Sequence, residues 1–264
     1  MLFDSHAHLN FEDFQNDWQQ VIADCQKENV GLINVGSQLQ TSRKAVEIAD
    51  QYSQGVYAAV GHHPIHAIGS NFHPEAFDVG DYKNLIKSSK KILAIGETGL
   101  DFFHDGQNFG NQKNIFIEQI NLAKEFDLPV IVHARNNKDE KLEVYDEILK
   151  IIRQQKISKG EIHCFLGTVK QALEFVELGF YVGFTGIITF PKTENLAEVV
   201  KSLPLDAIII ETDCPWLAPA PFRGQRNLPQ YVKYVGQKIA EIRQLDYNKV
   251  EEQTYLNATN LFKL

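Results

Sequence analysis

Residues 2–10 read LFDSHAHLN. A short apolar run meets two histidines, His6 and His8, one residue apart. In a strand, alternate side chains share a face, so both imidazoles point the same way. That geometry suits a metal ion. Alone it decides little, because an isolated H-x-H pair is commonly exposed or satisfied inside a core. The pair gains meaning only if other strands deliver ligands to the same place.

The rest of the chain supplies such strands. Apolar, β-rich runs recur as VGLINVG (30–36), VYAAVG (56–61), ILAIGE (92–97) and PVIVHA (129–134). EIHCF (161–165), FYVGFTG (180–186) and AIIIET (207–212) follow. Most are nearly continuous in apolar residues, the pattern of parallel strands buried on both faces. Between and after them lie helical patterns at 11–29, 111–127, 141–156, 230–245 and 248–262. In the second of these, Ile115, Ile117, Ile120 and Leu122 form the apolar stripe. Eight strands alternating with helices over 264 residues predict one (β/α)8 TIM barrel, a single domain over residues 1–264. The rival is an open doubly wound sheet, but no G-x-G-x-x-G follows the first strand.

Composition narrows the class. No apolar stretch approaches the ~20 residues of a membrane span. The first residues lack the basic start and long apolar core of a secretory signal. The cysteines, Cys25, Cys164 and Cys214, are odd in number and include no C-x-x-C, so a reducing, cytoplasmic setting is expected. The formal net charge of −8 argues against a broad basic surface for nucleic acid. It leaves room for a nucleic-acid substrate met locally, since carboxylates that hold cations are neutralised in the loaded protein.

The chemical residues fall at the C-terminal ends of the predicted strands, where barrel enzymes carry their sites. His6 and His8 end the first, Glu97 the fourth, His133 the fifth, His163 the sixth and Asp213 the eighth. Each has an ordinary structural reading by itself; their coincidence at strand ends does not. Six such groups exceed one tetrahedral ion and suit two divalent cations bridged by Glu97. One ion would take His6, His8, Glu97 and Asp213, the other Glu97, His133 and His163. Such a pair lowers the pKa of a water and clamps a phosphoryl oxygen. Residue types alone leave Mg2+, Mn2+ and Zn2+ open. Asp213 would also accept a proton from the attacking water, which makes it, with Glu97, the catalytic candidate. Glu211, in register with Asp213, is expected to orient a ligating histidine.

These motifs carry a resemblance. FDSHAHL, VGHHP, IGETGLDF, PVIVHAR, IHCFLG, GFYVGFTGIITF and ETDCPWLAPAPFRGQRNLP, in that order from residue 3 to 229, resemble the TatD family of metal-dependent deoxyribonucleases, within the wider amidohydrolase-like barrels. The resemblance implies a cytoplasmic barrel hydrolase with two divalent metal ions that cleaves phosphodiester bonds of DNA, typically single-stranded and trimmed from the 3′ end. The family's ligands then fall on His6, His8, Glu97, His133, His163 and Asp213. There are departures: HHPIHA displaces a family histidine to His66 and adds His62, GLDFF lacks tyrosine hydroxyls, Leu166 follows HCF, and HAR carries Ala134.

For substrate contact, His63, His66, Arg135 and Arg223 are the candidates, the last on the stiff loop APAPFRGQRN, with Arg226 beside it as a loop anchor. Arginine suits bidentate phosphate recognition. Phe102, Phe103, Trp216 and Phe222 offer rings for unpaired bases. Cys164 and Cys214 read as buried fillers. Two other readings stand beside the nuclease. One is an ester or amide hydrolase on the same site, acting on aminoacyl-tRNA or a small amide; Glu97 where many amidohydrolases place a carbamoylated lysine argues against the small-amide branch. The other is a barrel that holds metal without catalysis. DNA is the expected partner, with no membrane and no obligate protein partner.

Overall fold

A computed structural model of the chain describes residues 1–137 and 143–264. The strands are β1 (Leu2–Ala7), β2 (Val30–Val35), β3 (Val56–Val60), β4 (Ile92–Asp101), β5 (Val130–Arg135), β6 (Gly160–Ile162), β7 (Phe180–Phe184) and β8 (Ile208–Ile210). All pair in parallel in sequence order. The helices are α1 (Trp18–Lys27), α2 (Leu39–Ala49), α3 (Val79–Ser88), α4 (Phe102–Asp105), α5 (Phe109–Phe126), α6 (Val144–Gln155), α7 (Val169–Glu177), α8 (Glu194–Ser202), α9 (Val232–Arg243) and α10 (Tyr247–Phe262). This is the (β/α)8 barrel. Among the described residues no helix is long and apolar enough to cross a membrane.

Closure falls between the segment after β8 and β1. Ala7 and Cys214 form a parallel bridge; Asp213 N–H donates to His6 O at 2.9 Å and His8 N–H to Cys214 O at 3.0 Å. Below the bridge the Asp4 carboxylate stands in for ladder bonds. It accepts the Thr212 N–H at 2.8 Å and the Thr212 hydroxyl at 2.5 Å.

The two ends of the barrel interior differ. Phe3, Ile33, Ala59, Ala94, Ile131 and Ile209 fill one end, covered by Leu261 and Phe262 of α10. Toward the C-terminal ends of the strands the filling turns polar. Ser5 Oγ donates to Glu161 Oε1 at 2.8 Å, and Gly183 makes room for two carboxylates. A Cβ there would sit 2.6 Å from Glu211 Oε1 and 2.7 Å from Glu161 Oε1.

Several boundaries differ from the sequence reading. Glu97 does not end β4, which runs on to Asp101. Four β4 residues, 95–98, stand against three on β5, 130–132. The extra residue is a bulge, which redirects side chains beside a site. A second bulge lies in β1 between Asp4 and Ala7. β6 and β8 are short, so His163 and Asp213 lie just past their last rungs. The pattern at 11–29 is broken into a 3-10 turn at Glu12–Phe14 and α1. Arg226 takes the Asp13 carbonyl at 2.7 Å, the acceptor a continuous helix would have used. Of the predicted helix 141–156, Lys141 and Leu142 lie outside the described residues, and α6 begins at Val144.

Candidate metal centre

The bulges and strand ends bring five of the six expected ligands, His8, Glu97, His133, His163 and Asp213, to the lining of one cavity of about 640 Å3, an ordinary size for a small-ligand site; the sixth, His6, is fully buried beside them. Glu97 stands between two sets of donors. Its Oε2 lies 3.5 Å from His6 Nε2 and 3.9 Å from His8 Nε2. Asp213 Oδ1 closes this set at 3.4 Å from His8 Nε2 and 4.0 Å from His6 Nε2. The other oxygen, Oε1, lies 2.8 Å from His133 Nδ1, 3.5 Å from His63 Nε2 and 3.9 Å from His163 Nε2. His163 Nε2 also lies 3.9 Å from Asp213 Oδ1. Glycine shapes the GETG turn: at Gly99, with φ +139°, a Cβ would lie 2.1 Å from the His133 carbonyl oxygen. Only a residue without a side chain lets β4 run this close to β5.

Partners behind the histidines decide which nitrogen faces the cluster. His8 gives Nδ1–H to Val35 O at 2.8 Å. His163 gives Nδ1–H to Glu211 Oε2 at 2.6 Å, the contact expected of Glu211. Both therefore turn Nε2 toward the cluster, the nitrogen whose lone pair a cation would take. His6 Nε2 and His8 Nε2 are 3.0 Å apart, and His6 Nδ1 is buried with no hydrogen-bond partner among the described residues, its facing carboxylate oxygen being Glu211 Oε2 at 3.9 Å. Spacings of 3.0–4.0 Å among these four donor atoms match neighbours around one cation bound ~2.1 Å from each. The residues present fit divalent cations. Triplets whose donor atoms lie within 4.8 Å of one another include His6, His8 and Glu97; His63, Glu97 and His133; and His163, Cys164 and Asp213.

His63 behaves differently. Its Nδ1 accepts the Ile65 N–H at 3.1 Å, so its neutral ring carries a proton on Nε2 and is a donor there. Burial, with the neighbouring His133 charge, lowers its pKa to about 4 and keeps it neutral.

The electrostatics follow from the same contacts. Burial opposes the charge of Glu97, but the facing His63, His6 and His133 outweigh it and hold the carboxyl well below its usual range. Burial also works against Asp213, which is held low by the facing His8, His163 and His6. Burial would lower His133, but Asp101 and Glu97 prevail and raise it to about 9. His163 rises to about 10 against burial, through Glu211, Asp213 and Glu97. His6 is lowered by burial and by the His163 charge.

One functional group escaped the sequence reading. Asp101 is fully buried and takes His133 Nε2–H at 3.1 Å and His104 Nδ1–H at 2.8 Å, both on Oδ2. Burial opposes its charge, but those histidines outweigh it and hold the carboxyl below its usual range, so it stays ionised. Asp101 thus does for His133 what Glu211 does for His163, orienting the ring and fixing its tautomer. The only signal was the aspartate of GETGLD, whose direction depends on the bulge.

The chain aligns with the family model of TatD-related DNases over residues 3–263. It belongs to the TatD family of metal-dependent hydrolases. It is 39% identical to the uncharacterized metal-dependent hydrolase YabD of Bacillus subtilis strain 168, over all of both chains. It is 30% identical to the uncharacterized metal-dependent hydrolase YcfH of Escherichia coli K12, over all of this chain and 96% of the relative. The crystal structure of the TatD homologue YjjV from Escherichia coli K12 superposes with a TM-score of 0.88 at 28% identity, covering 100% of this chain and 98% of the other.

The substrate-contact candidates spread around this TatD-family cavity. His63, His66 and Arg135 line it. His66 Nδ1 is engaged by Phe72 O at 2.8 Å. Arg135 lies over the Phe103 ring at 4.2 Å. Arg223 is not among the lining residues; its guanidinium sits over Phe190 at 4.5 Å. Arg226 anchors its loop, with Nη1 at 3.1 Å and Nη2 at 2.5 Å from the two Asp17 oxygens. Trp216 lines the mouth and is half exposed, whereas Phe102 is buried and Phe222 stacks on Tyr231. Cys214 is buried as expected, but Cys164 is half-buried: two residues past the end of β6, with φ +47°, it lines the cavity.

Proposed function

We propose that this chain hydrolyses phosphodiester bonds of DNA, trimming single strands from the 3′ end with two divalent cations. The observation that carries this reading is Glu97, whose two oxygens face separate sets of buried donors. His6, His8, Glu97 and Asp213 would hold one cation, and Glu97, His133 and His163 the other. Together they would polarise the phosphoryl group and acidify a water.

The protein's own groups do the rest. Asp213 is ionised and turns Oδ1 toward His8 and His163, which leaves Oδ2 to take the proton of the attacking water. His63 Nε2–H stands 3.5 Å from Glu97, a donor suited to a phosphate oxygen that arrives between them. Glu211 and Asp101 hold the His163 and His133 rings from behind, so the donors need little reorganisation. Arg135 and the exposed face of Trp216 meet the strand at the mouth, and Arg223 meets it farther out.

The test uses single-stranded oligonucleotides labelled at either end, with Mg2+, Mn2+ or chelator, beside charged tRNA and p-nitrophenyl phosphodiesters. The reading requires metal-dependent shortening from the 3′ end that is lost in Glu97→Gln. Deacylation of charged tRNA without DNA cleavage would replace the nuclease by an ester hydrolase on the same site.

A further inference from the structure

The β4–β5 side of the mouth carries two side chains that keep hydrogen-bonding atoms unpaired among the described residues: His104 Nε2 and the guanidinium of Arg135. His104 and Arg135 both line it. Asp101 and Arg135 are register neighbours across the β4–β5 ladder, so the two side chains start from adjacent positions. Asp101 fixes His104 twice. Oδ1 accepts the His104 N–H at 2.8 Å and Oδ2 the His104 Nδ1–H at 2.8 Å. The ring is held by its far nitrogen, and Nε2 is left for a ligand. Phe103 lies between: Arg135 Cζ is 4.2 Å from its centroid, and the His104 ring meets it edge-on at 4.9 Å. A guanidinium stacked on a ring keeps its in-plane N–H donors free. The contrast with Arg153 and Arg226, tied to Glu174 and Asp17, is plain: Arg135 is stacked but meets no carboxylate among the described residues. Capping α4 accounts for the Asp101 bond to the His104 backbone, but it does not account for an oriented imidazole beside an arginine that meets no carboxylate among the described residues.

We propose that His104 and Arg135 form a phosphate subsite, distinct from the Glu97 cluster, that takes the phosphate next to the scissile one, with Asp101 as its positioning residue. Its place in turnover rests on the nuclease reading; its affinity for a nucleoside monophosphate does not. A charged two-point grip on phosphate is worth roughly 10–100-fold in affinity.

The experiment titrates thymidine 5′-monophosphate, and thymidine as the phosphate-free control, into the chelator-treated full chain by calorimetry, so that binding through cations is removed. The wild type is expected to bind the monophosphate more tightly than thymidine. His104→Gln and Arg135→Gln should each weaken the monophosphate about tenfold or more and leave thymidine unchanged, with circular dichroism and melting temperature confirming the fold. Equal affinity of the wild type for the two ligands, or unchanged monophosphate affinity in both variants, overturns the subsite. On a cleaved oligonucleotide the same variants should raise KM with kcat changed far less, and an unaltered KM also overturns it. If the wild type binds the monophosphate through these residues yet cleaves no phosphodiester, the nuclease reading fails and the subsite stands.

Discussion

The two ends of the barrel interior are built from the same eight strands and differ in what fills them. At one end Phe3, Ile33, Ala94, Ile131 and Ile209 pack under Leu261 and Phe262. At the other, Ser5, Glu161 and Glu211 lead up to the histidines and carboxylates around Glu97. Burial of apolar surface stabilises the first end. Burial of charge opposes the second, and only dense pairing offsets it. Stability and chemistry are thus separated along the barrel axis, and substitutions at each end should move different observables.

Glu97→Gln attacks the polar end at its centre. It removes the charge shared by both donor sets, and cation affinity should fall by more than the ~10–100-fold that losing an outer partner costs. Nuclease activity should go with it, and the melting temperature of chelated protein should fall, because protonated His133 loses one of its two carboxylate partners. Phe262→Ala attacks the apolar end. It should cost about 3–5 kcal/mol in denaturant unfolding and leave kcat unchanged in protein that remains folded. A change in kcat there would break the separation.

Glu211→Gln tests the polar end one layer down. It keeps the shape but loses the charge behind His163, so calorimetric cation affinity should drop ~10–100-fold, with a smaller loss of stability than Phe262→Ala.

pH sharpens the same contrast. His133 and His163, raised to about 9 and 10, are protonated at neutral pH when no cation is bound. Their pairing stabilises chelated protein fully below the unfolded value of ~6.5, and that contribution is lost as pH rises through 9 and 10. His63, lowered to about 4, has the opposite sign among the histidines. Its contribution is present above ~6.5 and fades as pH falls toward 4. Cations must displace the protons on His133 and His163, so binding at neutral pH should release protons, measurable by calorimetry in buffers of different ionisation enthalpy. No buffer dependence would contradict the assignment of these two as ligands.

The smallest effect belongs outside both ends. Arg226→Gln breaks a half-exposed pair with Asp17 and should change stability by at most about 1 kcal/mol, with cation binding intact.

Much of this was legible in the sequence because two signals are local. Near-continuous apolar runs such as VYAAV at β3 announce parallel strands, and chemical residues ending five of the eight runs announce the mouth. What stayed hidden depends on register. Nothing in ILAIGETGLD shows that β4 bulges between Ile95 and Thr98, so neither the run of the strand to Asp101 nor the pairing of Asp101 with His133 and His104 could be read. His63 is a substrate-contact candidate in the sequence, but which nitrogen it turns to the cavity is legible only from its Nδ1 accepting the Ile65 N–H. Arg223, chosen for its stiff loop, stacks on Phe190 away from the cavity lining, because loop composition carries no direction.

The central claim is that Glu97 joins two cation positions. Anomalous diffraction from manganese-soaked crystals of the wild-type protein tests it most directly. Two peaks are expected, each bound to a different oxygen of Glu97, one beside His6, His8 and Asp213 and the other beside His133 and His163. A single peak that leaves Glu97 unbound, or peaks held by other residues, would contradict it.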